Sequence, residues 1–343
     1  MRPPNTGVGG ASTINDVARL AGVSIKTVSR VMNDEPNVRQ ETRDKVQEAA
    51  TLLHYRPNLL ARSLAGSRSF LVALFYDNPN PAYITELQKG VINRARGSGY
   101  HLLVEPQDSH APDLARQITN LLATIRLDGI ILSPPLCDMA VVLQAIEAAG
   151  VPYVRVSPFL NPDRSPCVRM DDAQAAYELT RKLIEMGHTD IGFVLGHPEH
   201  GGAHQRYEGF VRALREDGME PRPEWTRQGY FSYESGVEAA RAILAPGTKH
   251  PTAIFASNDY MALGVMAHAQ QAGLRLPDDL SVAGFDDAPG ALRTWPPLTT
   301  VRQPVEDMAY AAADLLLNRN DAGADQDRML PFALIMRESV RAR

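Results

Sequence analysis

The fold of the N-terminal region is decided by residues 13–33, which read TINDVARLAGVSIKTVSRVMN. Apolar residues recur at helical spacing from Ile14 to Ala21, so this stretch predicts an amphipathic helix that Thr13 caps and Gly22 ends. After a very tight turn, Ser24 caps a second helix. Two short helices joined by a glycine-containing turn are typical of a helix-turn-helix.

The outward face of the second helix is mostly polar and basic, and such side chains donate to bases or phosphates. Its residues are Ile25, Lys26, Ser29, Arg30 and Asn33. A third helix, predicted from about Gln40 to Leu53, supplies a core. A small helical hairpin of an ordinary domain is the alternative interpretation. The N-terminal position, the local positive charge and the third helix favour DNA binding.

Charge is divided unevenly along the 343 residues, whose formal net charge is −5. Residues 1–68 carry ten Lys and Arg against six Asp and Glu, a net charge of +4, and the remainder carries −9. Because the binding of duplex DNA is largely phosphate neutralisation, the total charge alone argues against such a partner. The basic N-terminal part favours one.

Several protein classes are disfavoured by what the sequence lacks. No run approaches the ~18 apolar residues of a membrane span and no secretory signal is apparent, so we expect a cytoplasmic protein without a membrane partner. Cys137 and Cys167 predict neither a disulfide scaffold nor a zinc ribbon. Catalytic motifs are missing, and the adjacent pairs Asp171-Asp172 and Asp286-Asp287 would point to opposite strand faces. We therefore expect no enzyme and no cofactor.

From Ser69 onward, short apolar runs alternate with helical patterns, which is the rhythm of βαβ units. Strands are predicted at 70–75, 101–104, 129–132 and 153–156, then at 191–195, 228–230, 253–256 and 281–285, with a last strand at 331–337. The pattern predicts an α/β core of two doubly wound parallel-sheet subdomains. Small ligands bind in the crevice at the carboxyl ends of such strands.

Residues 55–66, YRPNLLARSLAG, predict a short helix that Asn58 caps and that stops at Gly66. Isolated helices shorter than ~12 residues are marginal in water. One interpretation is a plain linker. The other is a hinge helix that forms only against DNA and a partner chain and presents Leu64 as a wedge for the minor groove.

Residues 13–33, with Tyr55-Arg56-Pro57-Asn58 and Leu64-Ala65-Gly66, resemble the head and hinge of the LacI/GalR family of bacterial transcription regulators. Further matches include RYEGF at 206–210, ASNDYMALG at 256–264 and SVAGFDD at 281–287. The resemblance implies a flexible arm (1–11), a helix-turn-helix domain (12–57), a hinge (58–68) and an effector-binding core (69–343) similar to periplasmic sugar-binding proteins. It divides that core into an N-subdomain of 69–169 and 304–327 and a C-subdomain of 171–302 and 328–343, with chain crossings near Met170, Gln303 and Arg328.

The resemblance also implies which residues bind DNA. Ile25, Lys26 and Arg30 would read bases in the major groove, and Leu64 would kink a central base step. Phosphates would be held by Ser24, Thr27, Ser29, Asn33 and Tyr55. Thr13 and Asn58 are expected at the same interface.

The effector-binding residues that the resemblance implies lie at strand ends: Tyr83, Ser133, Ser157, Arg206, Asn258, Asp286 and Gln303. Arg206, at the start of a helix after a Gly/His-rich loop, would bond sugar hydroxyls with its planar fork. An alternative is that Arg206 and Asp286 pair only to tie the subdomains together. The nearby His197, Glu199, His200 and His204 lack the spacing of a metal motif and predict a polar loop at the cleft mouth.

Taken as a whole, the resemblance implies a homodimeric repressor of carbohydrate transport or catabolism genes that a small sugar releases from a palindromic operator. A corepressor-dependent regulator that senses a purine or a partner phosphoprotein is the alternative. A pure solute-binding protein is disfavoured by the DNA-binding pattern at the N-terminus.

Overall fold

The computed structural model describes residues 12–32, 37–55, 68–319 and 326–343. The chain forms two compact units, Met1–Phe70 and Leu71–Arg343. The predicted arm, Asn33 and the predicted hinge with Asn58 and Leu64 lie outside the described residues. None of the helices in the described ranges is long and apolar enough to cross a membrane.

The N-terminal unit contains three helices, α1 (Ile14–Ala21), α2 (Ile25–Met32) and α3 (Gln40–Leu52). At the start of α1 the Thr13 hydroxyl and backbone N–H donate to Asp16 Oδ2 at 2.7 and 3.0 Å. Gly22 ends the helix with a φ of 65°, a left-handed conformation that glycine adopts without steric cost. Ser24 Oγ accepts from the backbone N–H of Thr27 at 3.1 Å, so α2 is capped as predicted.

One apolar cluster holds the three helices together. It consists of Val17, Ala18, Val28, Val31, Val46, Ala49 and Ala50. The spacing of these residues places one stripe of each helix in the core. The opposite face of α2 is thereby left at the surface.

The second unit begins with a six-stranded parallel sheet in the order β11-β5-β4-β3-β1-β2. Its strands are β1 (Leu71–Tyr76), β2 (His101–Pro106), β3 (Gly129–Leu132), β4 (Tyr153–Val156), β5 (Cys167–Arg169) and β11 (Asp327–Met329). The associated helices are α4 (Pro81–Arg96), α5 (Leu114–Thr124), α6 (Ala140–Ala148) and α11 (Val305–Leu317). Helices α5 and α6 cover an apolar cluster that includes Phe75 and Ile130, and α11 packs against α4 and β3 to β5. We call this sheet with its helices the first subdomain.

The second subdomain is built on a four-stranded parallel sheet in the order β7-β6-β8-β9. Its strands are β6 (Ile191–Leu195), β7 (Thr226–Gln228), β8 (Ala253–Ala256) and β9 (Ser281–Ala283). Its helices α7 (Asp172–Glu185) and α8 (Gly201–Glu216) pack as one pair, and α9 (Tyr233–Ile243) and α10 (Asp259–Gln271) pack as another. Next to this sheet, β10 (Thr300–Arg302) pairs antiparallel with β12 (Ala333–Ile335).

The structure has the predicted α/β architecture and differs from the predicted strands in detail. The strand predicted at 228–230 spans 226–228, and Tyr230 lies beyond it with 52% of its surface exposed. Strands β5, β10 and β11 were not predicted. Each has only three residues, too few for a period-two pattern to stand out.

The chain passes between the subdomains three times. It crosses first at Met170, after β5, and again at Gln303, between β10 and α11. The third crossing comes slightly later than the predicted position near Arg328. The backbone N–H of Leu330 still donates to the carbonyl of Arg169 in the first subdomain, at 2.9 Å.

Candidate functional site

A cavity lies between the two subdomains, where the carboxyl ends of their parallel strands meet. It holds about 520 Å³ of space, part of it open to solvent. Residues of the loops that follow β1, β3, β4, β6, β7, β8 and β9 line it, as expected of a ligand site in α/β folds. The lining residues are Asn78, Asn80, Tyr83, Pro134, Ser157, Asp172, His200, Gly202, Ala203, Arg206, Phe231, Asn258, Asp286 and Gln303.

Arg206 is the central cation of this cavity. Its Nε donates to Asp172 Oδ1 at 2.8 Å, and its Nη1 donates to the carbonyl of Ser257 at 2.6 Å. The guanidinium carbon lies 3.8 Å from the centre of the Phe285 ring, a cation–π contact. These three contacts hold the guanidinium group rigidly at the cavity.

The position of Arg206 in its helix differs from the prediction. Helix α8 begins at Gly201, so part of the predicted Gly/His-rich loop is helical and Arg206 lies in the second turn. Asp172 begins α7, which runs close to α8. A Cβ on Gly209 of α8 would lie 2.0 Å from the carbonyl oxygen of Ala173, so glycine permits the approach that brings Asp172 to Arg206.

Asp286 connects the two subdomains. Its Oδ2 accepts from Asn80 Nδ2 of the first subdomain at 3.1 Å, its Oδ1 accepts from Gln303 Nε2 at 2.6 Å, and Arg206 Nη1 lies 4.0 Å away. Burial raises the pKa of Asp286 to about 6, and Arg206 opposes this rise. Arg206 and Asp286 belong to the same subdomain, so the interpretation that their pairing ties the subdomains together is wrong.

The loop that carries Asp286 has an unusual backbone. Asp286 and Asp287 have φ angles of 122° and 55°, values that cost energy for residues other than glycine. Buried Asp259 holds the loop, because its carboxylate accepts from the backbone N–H of Ala288 at 2.7 Å and from the Thr300 hydroxyl at 2.6 Å. Burial and the nearby Asp286 raise the pKa of Asp259. These contacts fix the direction of the Asp286 side chain.

The other residues predicted to bind the effector fall into two groups. Tyr83 and Ser157 line the cavity, as does Asn258, whose amide bonds the backbone of Met261 and Phe231 at 2.9 Å each. Burial raises the pKa of the Tyr83 hydroxyl, which therefore stays protonated. Ser133 does not line the cavity. It is fully buried and its hydroxyl faces the carbonyl of Phe75 at 3.5 Å.

In the N-terminal unit, the beginning of α2 is at the surface. Ile25 is 50% exposed, Ser24 and Lys26 are exposed, and Thr27, Ser29 and Arg30 are partly exposed. The hydroxyls of Ser24 and Thr27 lie 2.8 Å apart. Tyr55 packs against the helical core, and Thr13 belongs to the cap of α1. An apolar side chain beside a lysine at the first turn of a surface helix suits entry into the major groove.

Comparison with known proteins identifies the family. Residues 13–58 match the model of bacterial regulatory proteins of the lacI family, and residues 180–340 match a periplasmic binding protein-like domain. Catabolite control protein A of Priestia megaterium is 35% identical over 333 residues, which cover 96% of this chain and 99% of that protein. This chain belongs to the LacI family. It is therefore a DNA-binding transcriptional regulator, and the family is one of regulatory proteins, not enzymes.

Other LacI-family relatives match over nearly the whole chain. The transcriptional repressor PurR of Pectobacterium carotovorum is 34% identical over 96% of this chain and 97% of its own. The lac repressor dimer bound to operator and the anti-inducer ONPF has a TM-score of 0.81 and 30% identity over 97% of this chain and 100% of its own. The complex of the regulator CelR with cellobiose has a TM-score of 0.72 and 31% identity over 96% of this chain and 99% of its own.

Eight lining residues of this LacI-family cleft were not predicted: Asn78, Asn80, Pro134, Asp172, His200, Gly202, Ala203 and Phe231. From the sequence, Asp172 is considered only as one of a pair of adjacent carboxylates, and His200 only as part of a polar loop at the cleft mouth. Asn80 precedes Pro81, a common helix start, and its Oδ1 does cap α4. Burial lowers the pKa of His200 to about 4, so this ring is neutral at pH 7 and lies 5.2 Å from the ring of Phe231.

Proposed function

We propose that this LacI-family regulator is a repressor of carbohydrate transport or catabolism genes, released from a palindromic operator by a small sugar in the cleft. One observation carries the proposal: Arg206 stands between two carboxylates, those of buried Asp172 and largely buried Asp286, at the centre of a cavity shared by both subdomains. Such a constellation is costly to bury and is suited to a polar, uncharged ligand with many hydroxyls.

The chemistry of the lining favours a sugar. A sugar hydroxyl both donates and accepts, and the cavity offers acceptors on Asp172 and Asp286 and donors on Arg206, Asn80 and Gln303. Tyr83 and Phe231 supply apolar faces for the C–H surface of a sugar ring. The bound cellobiose of the related CelR complex supports the same ligand class.

Release of the repressor from its operator would follow from a change in the cleft. Asn80 and Gln303 both bond Asp286 across the subdomain boundary, so a ligand that replaces these bonds changes the relative positions of the subdomains. We propose that this change reaches the DNA through the hinge at 58–68, with Leu64 as its minor-groove wedge. A homodimer places one head on each half-site of the operator, and the protein acts on DNA in the cytoplasm.

A second candidate is a corepressor-dependent regulator that senses a purine, which the likeness to the repressor PurR favours. Isothermal titration calorimetry of the full chain against mono- and disaccharides and against purine bases separates the two. We expect heat of binding with at least one sugar and none with the purines. A response to purines alone would overturn the sugar proposal, and a response to neither would favour a protein partner.

A further inference from the structure

Three potential metal ligands meet at the rim of the cleft. Among the residues that the structure describes, His110, His197 and Glu199 each offer a ligand atom, and these atoms lie within 4.8 Å of one another. His110 Nε2 is 3.8 Å from Glu199 Oε2, and the two imidazole ring centres are 6.1 Å apart. The sequence predicted no metal site here because His110 lies 87 residues before His197 along the chain.

The three residues come from opposite sides of the cleft. His110 lies in the loop between β2 and α5 of the first subdomain, and His197 and Glu199 lie between β6 and α8 of the second. An ion held by all three would therefore bridge the subdomains. Such a bridge would act at the mouth of the cavity that contains Arg206.

Contacts within the two loops hold the backbone around His110 and the ring of His197. In the first subdomain the backbone N–H of His110 donates to Asp108 Oδ1 at 2.9 Å, and that of Ser109 donates to Asp77 Oδ2 at 2.8 Å. In the second, the His197 ring packs edge-on against Tyr230 with ring centres 5.7 Å apart. Supported ligands of this kind lose less freedom when an ion binds.

The composition of the cluster indicates which ion it suits. Two imidazoles and one carboxylate are the protein ligands of open zinc sites, in which solvent takes the fourth position, whereas calcium and magnesium prefer oxygen ligands throughout. Zinc–ligand distances of about 2.0–2.2 Å require ligand atoms roughly 3.5 Å apart. His110 and Glu199 have side-chain exposures of 65% and 54%, so both are free to close this gap.

We infer that His110, His197 and Glu199 bind one zinc ion that bridges the two subdomains and stabilises the closed cleft. An ion that binds the closed form more tightly raises the affinity of any ligand that also prefers the closed form. This coupling is reciprocal. The regulatory consequence rests on the proposed function of the cleft. The zinc site itself does not.

Direct titration tests the site. The full chain, stripped of metal with a chelator and dialysed, is titrated with zinc sulfate by calorimetry, and with cobalt chloride as a spectroscopic probe. We expect one equivalent of zinc to bind, and visible cobalt bands that zinc abolishes. Zinc should also raise the thermal unfolding midpoint.

Variants on both sides of the cleft separate a bridging site from scattered surface binding. His110→Ala and Glu199→Gln should each weaken zinc binding at least about tenfold and remove the thermal shift. His101→Ala, which removes an exposed histidine from the start of β2, should change neither. No stoichiometric zinc binding, or unchanged binding in His110→Ala, would overturn the inference. The titration uses no sugar, so its outcome is independent of the sugar screen.

Discussion

At the scale of single residues, Arg206 is the group on which the cleft depends most. Arg206→Ala leaves the carboxylates of buried Asp172 and largely buried Asp286 without the cation that lies between them. Removing one partner of a buried ion pair costs about 3–5 kcal/mol, so we expect a clear loss of unfolding free energy. We also expect operator binding to persist while the response to the sugar is lost. Chemical denaturation and fluorescence anisotropy on operator DNA measure the two effects.

A matched control for that variant lies on the same helix. Arg215 of α8 forms an exposed pair with Glu220, 3.2 Å away, and exposed pairs contribute little to stability. Arg215→Ala should therefore change neither stability nor effector response appreciably. A sugar response that survives in Arg206→Ala would show that Arg206 does not hold the ligand.

Asp286 makes stability depend on pH in a predictable direction. Its pKa is raised by burial to about 6 in the folded chain, against an ordinary value of 3.8. Between these values the folded chain holds a proton that the unfolded chain has lost, so the stability that this carboxyl contributes is greatest at low pH and declines as pH rises through 6. Relative to Asp286→Asn, the wild-type unfolding midpoint should rise as pH falls from about 7 to 5. A pH-independent difference between the two proteins would contradict the raised pKa.

At the scale of elements, we expect α2 to be the helix that meets DNA. Lys26→Ala removes one exposed cation from its first turn and should weaken operator binding. If Lys26 reads a base, the loss is about 1–3 kcal/mol and specificity relaxes at one operator position. If it holds only a phosphate, all sequences lose affinity alike. Anisotropy titrations with operator variants distinguish the two, and Lys45→Ala on α3, where Lys45 pairs with Glu41, serves as control.

The helices and long strands were predictable because their signals are local. Caps such as Thr13 with Asp16 act within one turn, and the buried strand at 129–132 reads as four apolar residues in a row. What could not be predicted depends on packing between distant segments. The partnership of Asp172 with Arg206 needs α7 beside α8, and the meeting of His110 with His197 needs both subdomains in place. Ser133 shows that position at a strand end is not enough to predict a ligand-binding residue, because its side chain points into the protein.

At the scale of the whole molecule, Leu64 tests the proposed hinge. If two hinges meet on the operator and insert this side chain between base pairs, Leu64→Ala should weaken operator binding more than nonspecific binding. Competition titrations with operator and random duplexes measure the ratio. Equal losses of affinity for operator and random duplexes would contradict the proposed insertion of Leu64 between base pairs.

The division of charge also belongs to this scale. A net charge of −9 on residues 69–343 disfavours contact between that part of the chain and a duplex, whereas residues 1–68 carry +4. This division of charge favours DNA binding by the N-terminal unit. The proposed function requires an effect of the cleft on DNA binding, which we propose to pass through residues 58–68.

The most direct measurement is operator affinity in the presence of sugars. The full chain is titrated onto an operator selected from random duplexes, with and without each sugar that binds in calorimetry, and the titration is repeated with Arg206→Ala. We expect at least one mono- or disaccharide to lower operator affinity about tenfold or more in the wild type, a coupling typical of allosteric proteins, and to have no effect on the variant. Operator affinity that no sugar changes, or that rises only with a purine, would contradict a sugar-released repressor.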